Sequence, residues 1–356
     1  MDEAIFILPV DDVPLQRWLP SAPTNSIKVE WMEEDLLAQE ATVSSVSGTD
    51  TPWTVTVGTD EGDLFRAGDI LWRKDDDPGR QYLVTAVSGD DLTVAEHGST
   101  DGATSGHDPA ASDVLVIVGQ FLTEGGDPLE ARTQERVAKY NITEIDQEKV
   151  EATRTQRKRA MFAQVDPYTH EVSKKFRELA IRFERKLLVG YRNDPASSTG
   201  KRQMGGIFFY SSSFNSQSGT AAQVKSKLSA LIRDCWTDGS NDANTLVVSP
   251  AVQAAITANF DAALRRSARS EVVVGYVTQR VLTDFGEVEL VVDRYMPKTK
   301  ALLLSRSYLQ KKVFDGYFHE LLAKTGDSDK GHIVGEYSLE VKEPDAHGVL
   351  TVTDAT

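Results

Sequence analysis

Apolar positions along this chain follow three patterns in turn: an irregular start, then an alternation of period two, then helical spacing mixed with short buried runs. Residues 1–29 combine Pro9, Pro14, Pro20 and Pro23 with the apolar Ile5, Phe6, Ile7, Leu8, Leu15, Trp18 and Leu19. Proline at that density forbids a regular helix or a central strand. A segment both irregular and sticky is expected to be a docking arm that needs a groove, in its own chain or another. Its candidate anchors are Phe6, Leu8, Leu15 and Trp18. From 42 to 119 the pattern is that of short strands. Val55 and Val57 alternate with threonines, and Leu71-Trp72, Tyr82-Leu83-Val84, Leu92-Thr93-Val94 and Val114–Val118 follow. Turn signals separate them at Ala67-Gly68-Asp69, Asp77-Pro78-Gly79 and Ser88-Gly89-Asp90-Asp91, and 102–109 reads as a flexible loop. This spacing predicts a small barrel or sandwich.

Gly125-Gly126-Asp127-Pro128 ends that module. The stretch that follows, to about 160, reads as a long extended return strand able to pair with 27–37, making a hairpin with the β module at or near its tip. Residues 166–192 carry the clearest helix. Asp166-Pro167 gives an N-cap with proline at the first helical position. Val172, Phe176, Leu179, Phe183, Leu187 and Tyr191 then fall on one face. At 1.5 Å per residue this helix spans roughly 38 Å. Its other faces carry Lys174, Lys175, Arg177, Arg182, Arg185 and Lys186. Residues 221–322 read as an α/β region, with helices through Val224–Ile232 and Val252–Leu264. Its strands are expected at 246–248, 272–274, 288–292 and 301–304. Residues 308–322 fit neither period, and 333–341 and 349–352 return to β.

The net charge of −15 conceals a split. Residues 1–130 hold 26 Asp/Glu against 6 Lys/Arg, whereas 131–356 hold 28 against 33. An acidic region does not favourably line duplex DNA. It keeps an assembly soluble or meets a basic surface on a neighbouring copy. Residues 149–202 hold 14 Lys/Arg against 6 Asp/Glu. Within this basic stretch Arg154, Arg157, Lys158, Arg159, Lys174, Lys175 and Arg182 are the candidates for contact with nucleic acid or with a neighbouring subunit. No run of 18 apolar residues exists to span a membrane, and the short acidic start lacks a signal-peptide core. Folding in the cytoplasm of the producing cell is therefore expected. The single cysteine, Cys235, rules out an intrachain disulfide and reads as a buried core thiol.

Catalytic and ligand motifs fail one by one. His319-Glu320 starts a zinc-protease helix motif, but Ala323 stands where the second histidine belongs. Ser198-Thr199-Gly200-Lys201 resembles the end of a P-loop, but Pro195 replaces the first glycine and Arg202 the hydroxyl residue. The oxygen-rich Asp234, Asp238, Asn241 and Asp242 lack the acidic twelfth position of a calcium loop, which is Thr245. Asp75-Asp76-Asp77 reads as a solvated turn. Asn141-Ile142-Thr143 matches a glycosylation sequon, without relevance unless the chain is secreted. No metal, cofactor or enzymatic activity is expected.

Several strings resemble the HK97-fold major capsid proteins of tailed bacteriophages, in a branch with a β-domain in the extended loop (E-loop). They are Val29–Asp35, Ala67–Leu71, Arg202–Ile207, Leu322–Ser328 and, most specifically, Gly335–Val341 continuing to Ala346-His347-Gly348. The resemblance implies an α+β, HK97-like capsid fold. Its parts would be an N-terminal arm (1–29), an E-loop (30–160) with an inserted small β-barrel (about 42–119), and a P-domain (161–220) with its spine helix at 166–192. An A-domain (221–325) and C-terminal strands returning to the P-domain (326–356) would complete it. It further implies a structural protein, not an enzyme. Pentamers and hexamers would form an icosahedral head around double-stranded DNA, with scaffold, portal and decoration proteins as partners, no membrane, and the virion as location. A decoration or tail-tube protein is the first alternative, and the long helix counts against it. An encapsulin-like compartment shell and a cytoplasmic hydrolase are the others.

Overall fold

The computed structural model describes residues 13–34, 36–48, 51–74, 81–98, 108–125, 132, 136–158, 167–195, 200–239, 242–260, 264–266, 279–283, 285–324 and 326–354. The chain forms two compact units, one of residues 34–137 and one of residues 1–33 with 138–356. The first is thus an insertion in the second.

Chain order begins with helix α1 (Pro14–Trp18) and strands β1 (Ser21–Pro23) and β2 (Lys28–Glu33). The inserted unit follows: β3 (Glu40–Ser47), β4 (Trp53–Val57), β5 (Asp69–Arg73), β6 (Gln81–Ser88), β7 (Asp91–Gly98) and β8 (Val114–Gln120). These six close into an antiparallel barrel in the order β3-β4-β7-β6-β5-β8. The alternation is visible in β4, where Trp53, Val55 and Val57 are buried and the two threonines are partly exposed. Ser88 pairs with Asp91 across a two-residue turn whose Gly89 has φ of 59°, a conformation glycine adopts without penalty. Closure leaves the barrel without a free edge, and Leu71, Tyr82, Leu92 and Leu115 fill it.

The larger unit resumes with β9 (Val137–Ile142), β10 (Glu144–Thr153), α2 (Arg154–Lys158) and α3 (Pro167–Val189). Next come α4 (Ile207–Tyr210), β11 (Asn215–Gly219), α5 (Val224–Asp238), β12 (Ala243–Val248) and α6 (Pro250–Phe260). Strands β13 (Leu264–Arg266), β14 (Gln279–Thr283), β15 (Gly286–Val292) and β16 (Lys300–Ser305) lead to β17 (Leu309–Leu321), β18 (Ser328–Val341) and β19 (Gly348–Val352). The extended return pairs as expected, β2 with β9, in a two-stranded sheet. A four-stranded sheet runs β1-β17-β18-β10, and a seven-stranded one β11-β19-β16-β12-β15-β14-β13.

Strand alternation divides the seven-stranded sheet between two cores. Leu246, Val248, Ala301, Leu303, Leu350 and Val352 face α5 and α6, with Cys235 buried among them. Val247, Val291, Leu302, Leu304 and Val349 face the opposite core, which contains Phe183, Leu187 and Leu188 of α3 and Leu15 and Leu19 of the arm. The other end of α3 packs Phe176 and Leu179 on Val150, Ala152 and Ile333 of the four-stranded sheet. Phe183 meets Tyr337 of the same sheet at 4.8 Å between ring centroids. No helix among the described residues is long and apolar enough to cross a membrane.

Four expectations need correction. The prolines of the arm do not exclude regular structure: Pro14 opens α1, where its missing N–H has no partner to lose, and Pro23 ends an edge strand. Tyr191 is not part of the buried helix face. The helix ends at Val189, and Tyr191 is 68% exposed. Gly190 turns the chain so close to Met204 that a Cβ there would lie 2.7 Å from its carbonyl oxygen. The ambiguous 308–322 segment is strand β17, whose register shifts at Val313/Asp315 and Asp315/Phe318 disrupt the period of two. The division expected at 325 cuts across the sheets, because β17 pairs with β18 while β19 crosses to the seven-stranded sheet. The strand expected at 272–274 and the turn at 75–77 lie outside the described residues, as does most of the loop at 102–109.

Candidate inter-subunit site

The arm is seated in its own chain. Leu15 is fully buried and Trp18 packs against the same core from a half-buried position. The first turn of α1 has N–H groups without intrahelical partners. Two of them, from Leu15 and Gln16, donate to the two carboxylate oxygens of Glu184 on α3, at 2.6 and 2.9 Å. β1 then runs parallel to β17, pairing Ser21 with Lys311. Phe6 and Leu8 lie outside the described residues.

Glu184 is itself completely buried, as is Asp293 just after β15. Burial first, and the adjacent Asp293 second, push Glu184 up to about 8. Burial also raises Asp293, although its Oδ1 accepts the Tyr295 N–H at 2.8 Å. Asp293 Oδ2 has no donor among the described residues. Two carboxylates cannot both ionise in such a place, so the pair holds one proton between them.

The basic stretch is largely neutralised from within. Arg154 meets Asp327 at 2.9 Å and Arg157 pairs with Asp329. Lys175 meets Glu178 at 2.6 Å. Arg182 meets Asp146 at 3.1 Å and also pairs with Glu148, whose carboxyl it holds below the usual range chiefly through that hydrogen bond. These pairs tie α3 to β10 and α2 to the start of β18. Lys158 and Lys174 are exposed and make no ion pair with a described residue. Arg159 lies outside the described residues.

Sequence reasoning missed Glu184, Asp293 and Asn141. Glu184 was detectable, because its position falls between Phe183 and Leu187 on the apolar face of α3, where a carboxylate is out of place. Asn141 and Thr143, read as a sequon, are both fully buried. Asn141 Nδ2 donates to the Gly205 and Leu339 carbonyls at 2.9 and 2.7 Å, and its Oδ1 accepts the Gly205 and Ile142 N–H groups, each at 2.9 Å. Thr143 donates to Glu336, which also pairs with Arg202 at 2.8 Å. The strings around 202–207 and 335–341 are therefore bound to β9 through one buried polar network. No group of three His, Cys, Asp or Glu side chains among the described residues is arranged to hold a metal ion. Asp234 and Asp242 accept hydrogen bonds from Gln217 and Ser307.

The sequence matches, over residues 1–354, the family described as SU10 major capsid protein. The chain belongs to that family. The capsid protein is thus a structural shell subunit, and a homo-oligomeric shell in the virion is its assembled form. Its fold is α+β with an inserted closed barrel. Among solved structures, the capsid of Myoviridae phage XM1 is 9% identical, covering 95% of this chain and 90% of that one at a TM-score of 0.47. A structure from Microbacterium phage Oxtober96 is 11% identical, with 95% and 90% covered and a TM-score of 0.44. The SrpI encapsulin complex from Synechococcus elongatus PCC 7942 is 14% identical, with 62% and 79% covered and a TM-score of 0.44. No curated protein sequence matches.

Proposed function

We propose that copies of this capsid protein assemble as pentamers and hexamers into an icosahedral head enclosing double-stranded DNA. The observation that carries the reading is the family match over nearly the whole chain. The subunit is made in the bacterial cytoplasm and has no enzymatic task. Scaffold, portal and decoration proteins are its partners in the head. Where the head wall touches packaged DNA or a neighbour through basic side chains, Lys158 and Lys174 are the candidates, because Arg154, Arg157, Lys175 and Arg182 already have carboxylate partners in their own chain. Size-exclusion chromatography with negative-stain electron microscopy tests the reading on the purified full chain, alone and co-expressed with candidate head partners. Shells or five- and six-fold rings are expected. A monodisperse monomer in both preparations at every concentration overturns it.

A further inference from the structure

We propose that residues 13–23 form a proton-controlled latch, in which seating the arm over Glu184 and Asp293 takes up one proton and raising the pH loosens the arm.

The geometry requires that proton. Glu184 projects from α3 and Asp293 from the end of β15, and both are shut off from water. Among the described residues, the arm supplies only backbone N–H groups to this site, two of them, and both go to Glu184. Asp293 receives the Tyr295 N–H on one oxygen, and its other oxygen has no donor among the described residues. A buried carboxylate oxygen turned towards a second carboxylate is satisfied by a proton shared between the two. Glu184 and Asp293 share that proton, and the hydrogen bond between them raises Glu184 and lowers Asp293.

The surrounding charges do not replace it. Lys311 on β17 lies beside the arm, its own N–H donating to the Pro20 carbonyl at 2.8 Å. Burial lowers its pKa, although Glu184 pulls the other way, so its hold on a positive charge weakens as the pH rises. Arg294 favours ionised Asp293, but as a through-space effect weaker than burial. Arg185 lies over the Tyr295 ring at 4.8 Å, and Arg17 of the arm is exposed.

When the arm lifts, water reaches the pair and both carboxyls return towards ordinary values. The seated state therefore binds one more proton than the lifted state between the ordinary carboxylate pKa and about 8. Seating is fully favoured below that window. It weakens as the pH rises through it, by up to about tenfold per pH unit, and levels off above it.

Hydrogen exchange with mass spectrometry on the full chain reads this directly. Protection at the Leu15 and Gln16 amides is followed from about pH 5 to pH 9, corrected for intrinsic exchange, with Leu303 in β16 as the core reference. Protection of the arm amides should fall across that range and flatten near its top while Leu303 stays constant. Asp293→Asn supplies a neutral donor to Glu184 at every pH and should flatten the slope. A wild-type arm whose protection does not depend on pH overturns the proposal, whether or not the variant folds. So does an arm that loses protection only together with Leu303, or an Asp293→Asn protein that keeps the wild-type slope.

Discussion

Replacing Asn141 by Leu conserves volume and removes a hub of four buried hydrogen bonds. The Gly205 N–H and carbonyl, the Leu339 carbonyl and the Ile142 N–H would each lose a partner in a place water does not reach. An orphaned buried polar group costs about 1–3 kcal/mol. Partial relaxation of the loop holding Gly205 offsets some of this, so the sum is roughly 4–6 kcal/mol. For a unit of this size, 1 kcal/mol moves the unfolding midpoint by about 2–4 °C. An apparent Tm lowered by roughly 8–24 °C is expected by differential scanning fluorimetry at a fixed scan rate. Asn193→Ala is the matched control, because that amide donates to the Lys201 carbonyl at 2.9 Å from an exposed position. A shift within about 2 °C is expected there. If Asn141→Leu unfolds within that same margin, the network is not what ties β9 to the 202–207 segment.

Phe183→Ala should destabilise by about 3–5 kcal/mol through the cavity it leaves between α3 and Tyr337, and Phe183→Asp should abolish soluble folding; soluble yield and Tm check both. Deleting residues 1–25 is expected, on the sequence alone, to give a folded subunit that assembles poorly. The structure predicts a sharper outcome, because Leu15 and Leu19 belong to the core and Glu184 would be uncovered, so the truncated chain should itself lose soluble yield. Burial pushes His347 down from 6.5 to about 4, so its contribution is present above 6.5 and lost as the pH falls towards 4. That amounts to about 3 kcal/mol. His347→Gln should flatten the drop in Tm between pH 7 and pH 4. Arg182→Ala should cost only about 1 kcal/mol, since Arg182 is partly exposed and Asp146 keeps Lys186 at 3.4 Å; a Tm loss above 8 °C would contradict that.

Period and punctuation in the sequence identify the elements that bury one face. The barrel was legible because Thr54 and Thr56 alternate with Trp53, Val55 and Val57, and α3 because Phe176, Leu179, Phe183 and Leu187 share a face. Elements covered on both sides or interrupted by bulges carry no such signature. β12, buried at Thr245, Leu246, Val247 and Val248 in succession, shows only as a short apolar run at 246–248, and β17 loses its alternation where its register slips. The polar contacts are the least legible. Glu184 and Asp293 lie 109 positions apart, and Asn141 meets Leu339 across 198. Only the fold brings such residues together, so local spacing, which marks Glu184 as out of place on an apolar face, names none of the partners.

The features that look most like assembly surfaces in the sequence are taken up inside the subunit. The sticky arm fills its own chain's groove from Val13 onward, and four of the seven candidate basic residues neutralise carboxylates on β10, β18 and α3 or in the turn before β18. Charge counts point the same way. Residues 34–137 hold 21 Asp/Glu against 6 Lys/Arg and so carry the whole net charge of −15, while the remaining residues balance at 33 of each. The larger unit therefore offers no excess of positive charge with which to draw acidic surfaces of neighbouring copies together. Apolar area is the further source of attraction between copies in the proposed head. In the larger unit that area is already visible at Ile27, Met32 and Ile145 near the two-stranded sheet and at Phe314, Leu321 and Leu322 along and just after β17, all large side chains left exposed by the isolated subunit.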